Sequence, residues 1–130
     1  MEFSTIWAPR ILSVLRIVDG LILLQYGLAK LFGWPAVEIF ENLKWLSLFG
    51  IAGMFELVGG TLLILGLFTR PVAFILSGFT AAAYFMAHAS KGFYPLLNGG
   101  ELAALYSFVF LYFTFAGAGP WSADALISRK

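Results

Sequence analysis

The chain has 130 residues, of which 61% are apolar, 12% charged and 18% aromatic. A water-soluble domain carries about 25% charged and about 45–50% apolar residues, so the surplus apolar surface must face lipid. Eight basic side chains against seven acidic ones leave no basic face for nucleic acid, the absence of Cys excludes disulfides, thiol relays and Cys-held iron–sulfur clusters, and the single His, His88, excludes a His-rich metal centre within one subunit.

Residues 1–10 lead into an apolar run that begins at Ile11. Arg16 and Asp19 interrupt this run and no small-residue cleavage site follows, so it reads as an uncleaved first span, about 11–32, rather than a secretory signal. Gly33-Trp34-Pro35 breaks the pattern. From 36 to 46, Val37, Phe40, Leu43 and Leu46 recur at helical spacing among Glu38, Glu41, Asn42 and Lys44, which predicts a short amphipathic helix in the interface, with Trp34 and Trp45 at headgroup depth.

A second span is expected at about 47–68, broken by Glu56, and a third at about 72–89, ending near His88. The turn Thr69-Arg70-Pro71 is short enough to make these two antiparallel neighbours. Gly92, Pro95, Asn98, Gly99 and Gly100 spell a loop. Glu101 then opens a fourth span, to about 117, at the helix end where an acid is favoured. The expected fold is all-α: a four-helix transmembrane bundle forming one domain over residues 1–130, with a short interfacial helix between spans one and two. Four spans put both termini and the 69–71 turn on one side, with Arg10, Arg16, Arg70, Arg129 and Lys130, against Lys30, Lys44 and Lys91 on the other. That bias points the termini to the cytoplasm.

Ionisable groups within lipid are costly and turn inward, so each marks a candidate site. At about 100° per residue, with Asp19 at zero, Tyr26 lies at about −20°, Lys30 at about +20° and Arg16 at about +60°. Gln25, at about −120°, stands apart. Glu56 lies about 15 Å into its span, at a depth like that of Asp19. Arg16, Asp19 and Glu56 are therefore expected to form one mutually satisfied polar cluster, as glue between helices or as a relay. Gly50, Gly53, Gly59 and Gly60 around Glu56 predict close helix packing. Near the outer mouth, Tyr26, Lys30, Tyr84, His88, Asn98, Glu101 and Tyr106 form a second candidate constellation, able to bind an oxygen-rich head group or move protons.

The run Tyr26-Gly27-Leu28-Ala29-Lys30-Leu31-Phe32-Gly33, then Glu56-Leu57-Val58-Gly59-Gly60, Leu65-Gly66-Leu67-Phe68-Thr69-Arg70, His88, Pro95 and Asn98-Gly99-Gly100-Glu101, closing on Gly117-Ala118-Gly119-Pro120-Trp121-Ser122-Ala123-Asp124, resembles the DoxX family over nearly the whole chain. The resemblance implies a small multi-pass protein of the bacterial inner membrane with a four-helix core. It also implies association with thiosulfate:quinone oxidoreductase, with thiol-stress oxidoreductase complexes or with catechol and quinone resistance. The family often has His where this chain has Tyr26, which removes a group that titrates near neutrality.

Three functions follow as expectations. The first is a subunit of a quinone-linked oxidoreductase system, with quinone as ligand and no covalently held cofactor or metal. Because the chain has no electron carrier of its own, a redox partner or the quinone must supply the chemistry. The second is a non-catalytic adaptor that anchors a soluble redox protein through a surface such as 36–46. The third is a small-solute or proton carrier built on Arg16, Asp19 and Glu56. Membrane lipid is the expected environment, and a homodimer is expected because a small bundle leaves apolar faces unpaired.

Overall fold

The computed structural model describes residues 2–128, and every regular element among them is helical. In chain order these are α1 (Glu2–Phe32), α2 (Leu48–Leu65), α3 (Thr69–Ala87), α4 (Pro95–Asn98), α5 (Glu101–Ala116) and α6 (Ala123–Ser128). Short 3₁₀ turns occur at Glu38–Phe40 and Ala89–Lys91. Three stretches, Glu2–Phe32, Leu48–Leu65 and Thr69–Lys91, are long and apolar enough to cross a membrane. The protein is a membrane protein. Arg129 and Lys130, used above to weigh orientation, lie outside the described residues.

The first helix starts well before the expected residue 11. Pro9 lies inside it and gives up one amide donor, but its fixed φ suits a helix. Ring contacts one turn apart support these first turns: Phe3 meets Trp7 at 6.2 Å and Arg10 lies 5.0 Å over Trp7.

Two compact units make up the chain. The first holds Met1–Thr69 and Ala118–Lys130, and its seam is made by glycines on a seven-residue spacing. A Cβ placed on Gly27 would lie 2.6 Å from the Leu57 nitrogen and 3.0 Å from the Gly53 oxygen. One placed on Gly60 would lie 2.9 Å from the Leu24 nitrogen and 3.0 Å from the Gly20 oxygen. Gly20 therefore faces Gly60 and Gly27 faces Gly53, so α1 and α2 run antiparallel with their backbones almost touching. Ser13, Arg16, Gly20, Leu23 and Gly27 form the buried stripe of α1 at alternating three- and four-residue steps.

The expected amphipathic helix over 36–46 is not formed. Only Glu38–Phe40 makes a 3₁₀ turn, and Asn42 takes a left-handed φ of 60°, which a continuing helix does not allow. The apolar spacing of the segment serves other contacts. Phe40 packs on Phe49 at 6.0 Å, and Trp45 sets its ring edge-on to Phe32 at 5.7 Å. The Trp45 indole N–H donates to the Leu31 carbonyl at 3.0 Å, one of the carbonyls left open at the end of α1. Ser47 then caps α2, accepting from the Gly50 amide at 3.2 Å. At the far end of α2, Gly66 turns left-handed at φ 69°, while the amides of Gly66 and Leu67 donate back to Leu63 and Leu62. This is a Schellman stop, for which glycine is the favoured residue.

The second unit, Arg70–Gly117, pairs α3 with α5. Ser77 Oγ donates to the Ser107 carbonyl at 2.7 Å, and Ser107 Oγ returns the bond to the Ser77 carbonyl at 3.1 Å. Arg70 donates to the carbonyls of Thr114, at 3.1 Å, and Phe115 at the end of α5, where a cation is favoured by the helix dipole. Pairing 70 with 114 and 77 with 107 makes these helices antiparallel. The expected loop over 90–100 contains the one-turn helix α4, entered through Pro95 and closed by Gly99 at φ 73°.

Candidate functional site

Three polar centres emerge from the described residues, and they group the expected site residues differently from the sequence reading. Arg16 does not meet Glu56. Its side chain is fully buried and its Nε donates to the Leu63 carbonyl at 2.7 Å, Nη2 to the Trp121 carbonyl at 2.8 Å, and Nη1 to the Ala118 carbonyl. The Leu63 carbonyl belongs to the last turn of α2, where the helix dipole presents partial negative charge, and Asp124 adds an electrostatic attraction.

Ser13, one turn before Arg16, completes this knot. It donates to Ala118 O at 3.1 Å and accepts from the Trp121 amide at 3.1 Å. Asp124 fastens the same segment to the turn after α2: its carboxylate accepts from the amides of Phe68, at 2.8 Å, and Thr69, at 2.9 Å, while its own amide donates to Gly66 O at 2.9 Å. The guanidinium is thus spent on backbone oxygens, and its role is structural.

Glu56 pairs with Lys30 instead, at 2.8 Å, with only 8% and 10% of the two side chains exposed. Three rings surround the ammonium: Phe40 at 5.5 Å and Tyr26 and Phe49 at 5.9 Å each, close enough for cation–π attraction. The reason for this partner choice lies in helix direction. Side chains lean towards the N-terminus of their own helix. Because α1 and α2 are antiparallel, Glu56 leans towards the end of α1 that carries Lys30, and Lys30 leans back towards Glu56. Arg16 leans away from both. Asp19 joins neither partner: its Oδ2 is buried without a hydrogen bond among the described residues. The expected Arg16–Asp19–Glu56 cluster is therefore replaced by a Lys30–Glu56 pair, a separate Arg16 knot and an Asp19 without a partner among the described residues.

The third centre lies in the second unit. His88 directly follows the last residue of α3 and its Nδ1 sits 3.1 Å from the Asn98 carbonyl. A carbonyl can only accept, so Nδ1 carries the proton and Nε2 of the neutral ring keeps its lone pair. Asn98 is 2% exposed and both hydrogens of its amide are used. Nδ2 donates to Tyr84 OH and to Gly92 O, at 3.0 Å each, and Oδ1 accepts from the Gly100 amide at 2.8 Å.

Gly100 has to be small here, since a Cβ would sit 2.7 Å from the Tyr84 ring and 2.8 Å from His88 Cβ. Of the expected outer constellation, hydrogen bonds thus join Tyr84, His88 and Asn98. Glu101 stands exposed in the first turn of α5. Tyr106 is buried one and a half turns further along, stacked on Phe110 at 5.0 Å. Tyr26 and Lys30 belong to the first unit.

The motif order along α1 to α3 finds its counterpart in known proteins, for the DoxX family model matches residues 11–89. The chain belongs to the DoxX family. A Haemophilus influenzae protein described as uncharacterized is 46% identical to this DoxX protein over 128 residues, covering 95% of this chain and 96% of the relative. A second uncharacterized protein of that organism is 35% identical over 74 residues, or 57% of this chain and 49% of its own length. No solved structure matches this DoxX chain.

Several residues of these centres escaped the sequence reading. Ser13 could have been found, because it shares the three- and four-residue stripe of Arg16, Gly20 and Gly27. Phe40 was read only as part of the apolar spacing over 36–46, and Phe49 gave no local signal. Asp124 meets its partners across 55 and 56 residues of chain, a separation that no periodicity reveals.

Proposed function

We propose that this DoxX protein is a quinone-binding subunit of an oxidoreductase system in the bacterial inner membrane. It crosses the bilayer four times, with α5 as the fourth span and the 33–47 connector at headgroup level. Both termini lie in the cytoplasm. At 16 residues, α5 is about 24 Å long against a hydrocarbon core of about 30 Å, and polar groups at both its ends suit a locally thinned bilayer.

The observation that carries the reading is the His88 ring, with Nδ1 held by Asn98 and the Nε2 lone pair left open. Such a nitrogen would accept one of the two hydroxyl protons of a bound quinol, the other leaving to water at headgroup level, and once protonated would donate to a quinone carbonyl. Tyr84 and Asn98 hold the ring in place. The two electrons pass to or from a redox partner protein, because this chain supplies no carrier of its own.

The test is titration of the purified protein with a short-tailed ubiquinone or menaquinone analogue, read by tryptophan fluorescence and thermal stability. Loss of one hydrogen bond in His88→Ala is expected to weaken binding about tenfold. If saturating analogue leaves both signals of the unmodified protein unchanged, the quinone reading fails. A second reading, the non-catalytic adaptor, draws support from the exposed Ile39 and Leu46 of the connector. It predicts a soluble redox partner that co-purifies from native membranes and is lost when both are replaced by Ser.

A further inference from the structure

The face of α1 opposite its glycine seam is exposed and carries its own regular pattern. Ile11, Val14, Val18, Leu21, Gln25 and Phe32 lie on it, following a seven-residue repeat with alternating three- and four-residue steps from Ile11 to Gln25 and a seven-residue step to Phe32. At about 100° per residue they fall within about 40° of Gln25, which points away from Gly20 and Gly27. All but Gln25 are apolar.

Gln25 is the anomaly. It lies seven residues, or about 10 Å, inside the Phe32 end of the span. Its side chain leans towards the N-terminus of α1, away from that nearer interface, so the amide cannot reach the headgroups there. It is exposed and makes no hydrogen bond among the described residues. An amide in hydrocarbon without a partner is costly, and across helices such side chains hydrogen-bond to one another.

We propose that two copies of this chain pair α1 against α1 through this face, with Gln25 of each copy hydrogen-bonded to Gln25 of the other. A second copy is the occupant that the geometry selects. Copies inserted with the same orientation present their α1 helices in parallel, so a two-fold axis along the membrane normal brings each residue of the seam opposite itself at equal depth. A carboxamide is self-complementary, because each can donate through Nε2 and accept through Oε1. The heptad spacing gives the left-handed crossing that lets the flanking Val18 and Leu21 layers interlock.

The absence of native cysteine makes a clean test available. Val14→Cys and Leu21→Cys, each alone, are oxidised with copper phenanthroline in native membranes, with Val58→Cys on the exposed side of α2 as control. Covalent dimers are expected from positions 14 and 21 and not from 58. Gln25→Leu, an exposed site where Leu fits without repacking, is expected to weaken association on lipid dilution about three- to twenty-fold. The proposal is overturned if positions 14 and 21 fail to cross-link, if 58 cross-links as fast, or if Gln25→Leu leaves association unchanged. Far-UV circular dichroism of each variant separates loss of pairing from loss of fold.

Discussion

Removing one member of the Lys30–Glu56 pair should cost far more than removing both. At 2.8 Å and an effective dielectric of about 20, the attraction between the two charges is about 6 kcal/mol. Stripping water from each ion costs several kcal/mol, so the pair nearly balances its own burial. Lys30→Met leaves a carboxylate in an apolar enclosure, and Glu56→Leu leaves an ammonium whose remaining neighbours are the rings of Tyr26, Phe40 and Phe49. Each single change is expected to destabilise by about 3–5 kcal/mol. Lys30→Met with Glu56→Leu, which restores an apolar seam, is expected to lie within about 1 kcal/mol of the original protein, giving a coupling of at least about 5 kcal/mol. The assay is reversible unfolding in bicelles by added dodecyl sulfate, followed by circular dichroism. Additive single effects, or singles that cost under about 1 kcal/mol, would refute the claim that this pair is buried and mutually dependent.

Two further changes probe the seam and the knot. Gly27→Leu forces side-chain atoms into the Leu57 backbone and is expected to cost about 3 kcal/mol or more; Gly78→Ala, with open space around it and a helical backbone, should instead stabilise by about 0.5–1 kcal/mol, and the same unfolding assay compares the two. Asp124→Ala removes the acceptor for two amides and should cost about 1–2 kcal/mol, with hydrogen exchange at Phe68 and Thr69 rising first; unchanged exchange there would show that the carboxylate is not their partner.

The long apolar helices were legible because lipid imposes length and composition together: the runs that became α2 and α3 needed only counting, and α5 formed as a shorter apolar helix. The polar contacts were less legible, for identifiable reasons. Counting residues from a span end put Glu56 level with Asp19, but depth along the axis ignores the lean of side chains, which in antiparallel helices draws Glu56 to Lys30. The glycines flanking Glu56 were recognised as packing residues, whereas their partners Gly20 and Gly27 emerge only when two seven-residue spacings are matched. Over 36–46 the periodicity was genuine and the helix was not, since left-handed Asn42 leaves no trace in a hydrophobic pattern. His88 and Asn98 meet because the nine residues between them, turned at Gly92 and Pro95, close over a helix end.

The Arg16 knot also sets an order on biogenesis. The guanidinium enters the bilayer with the first helix, yet two of its acceptors, Ala118 and Trp121, follow 102 and 105 residues later. At a synthesis rate of about 5–20 residues per second, an unsatisfied cation waits about 5–20 s for them in the translocon or beside an insertase. A nascent chain that has not yet reached Ala118 and Trp121 holds that cation without two of its three acceptors, and one that has passed them conceals it.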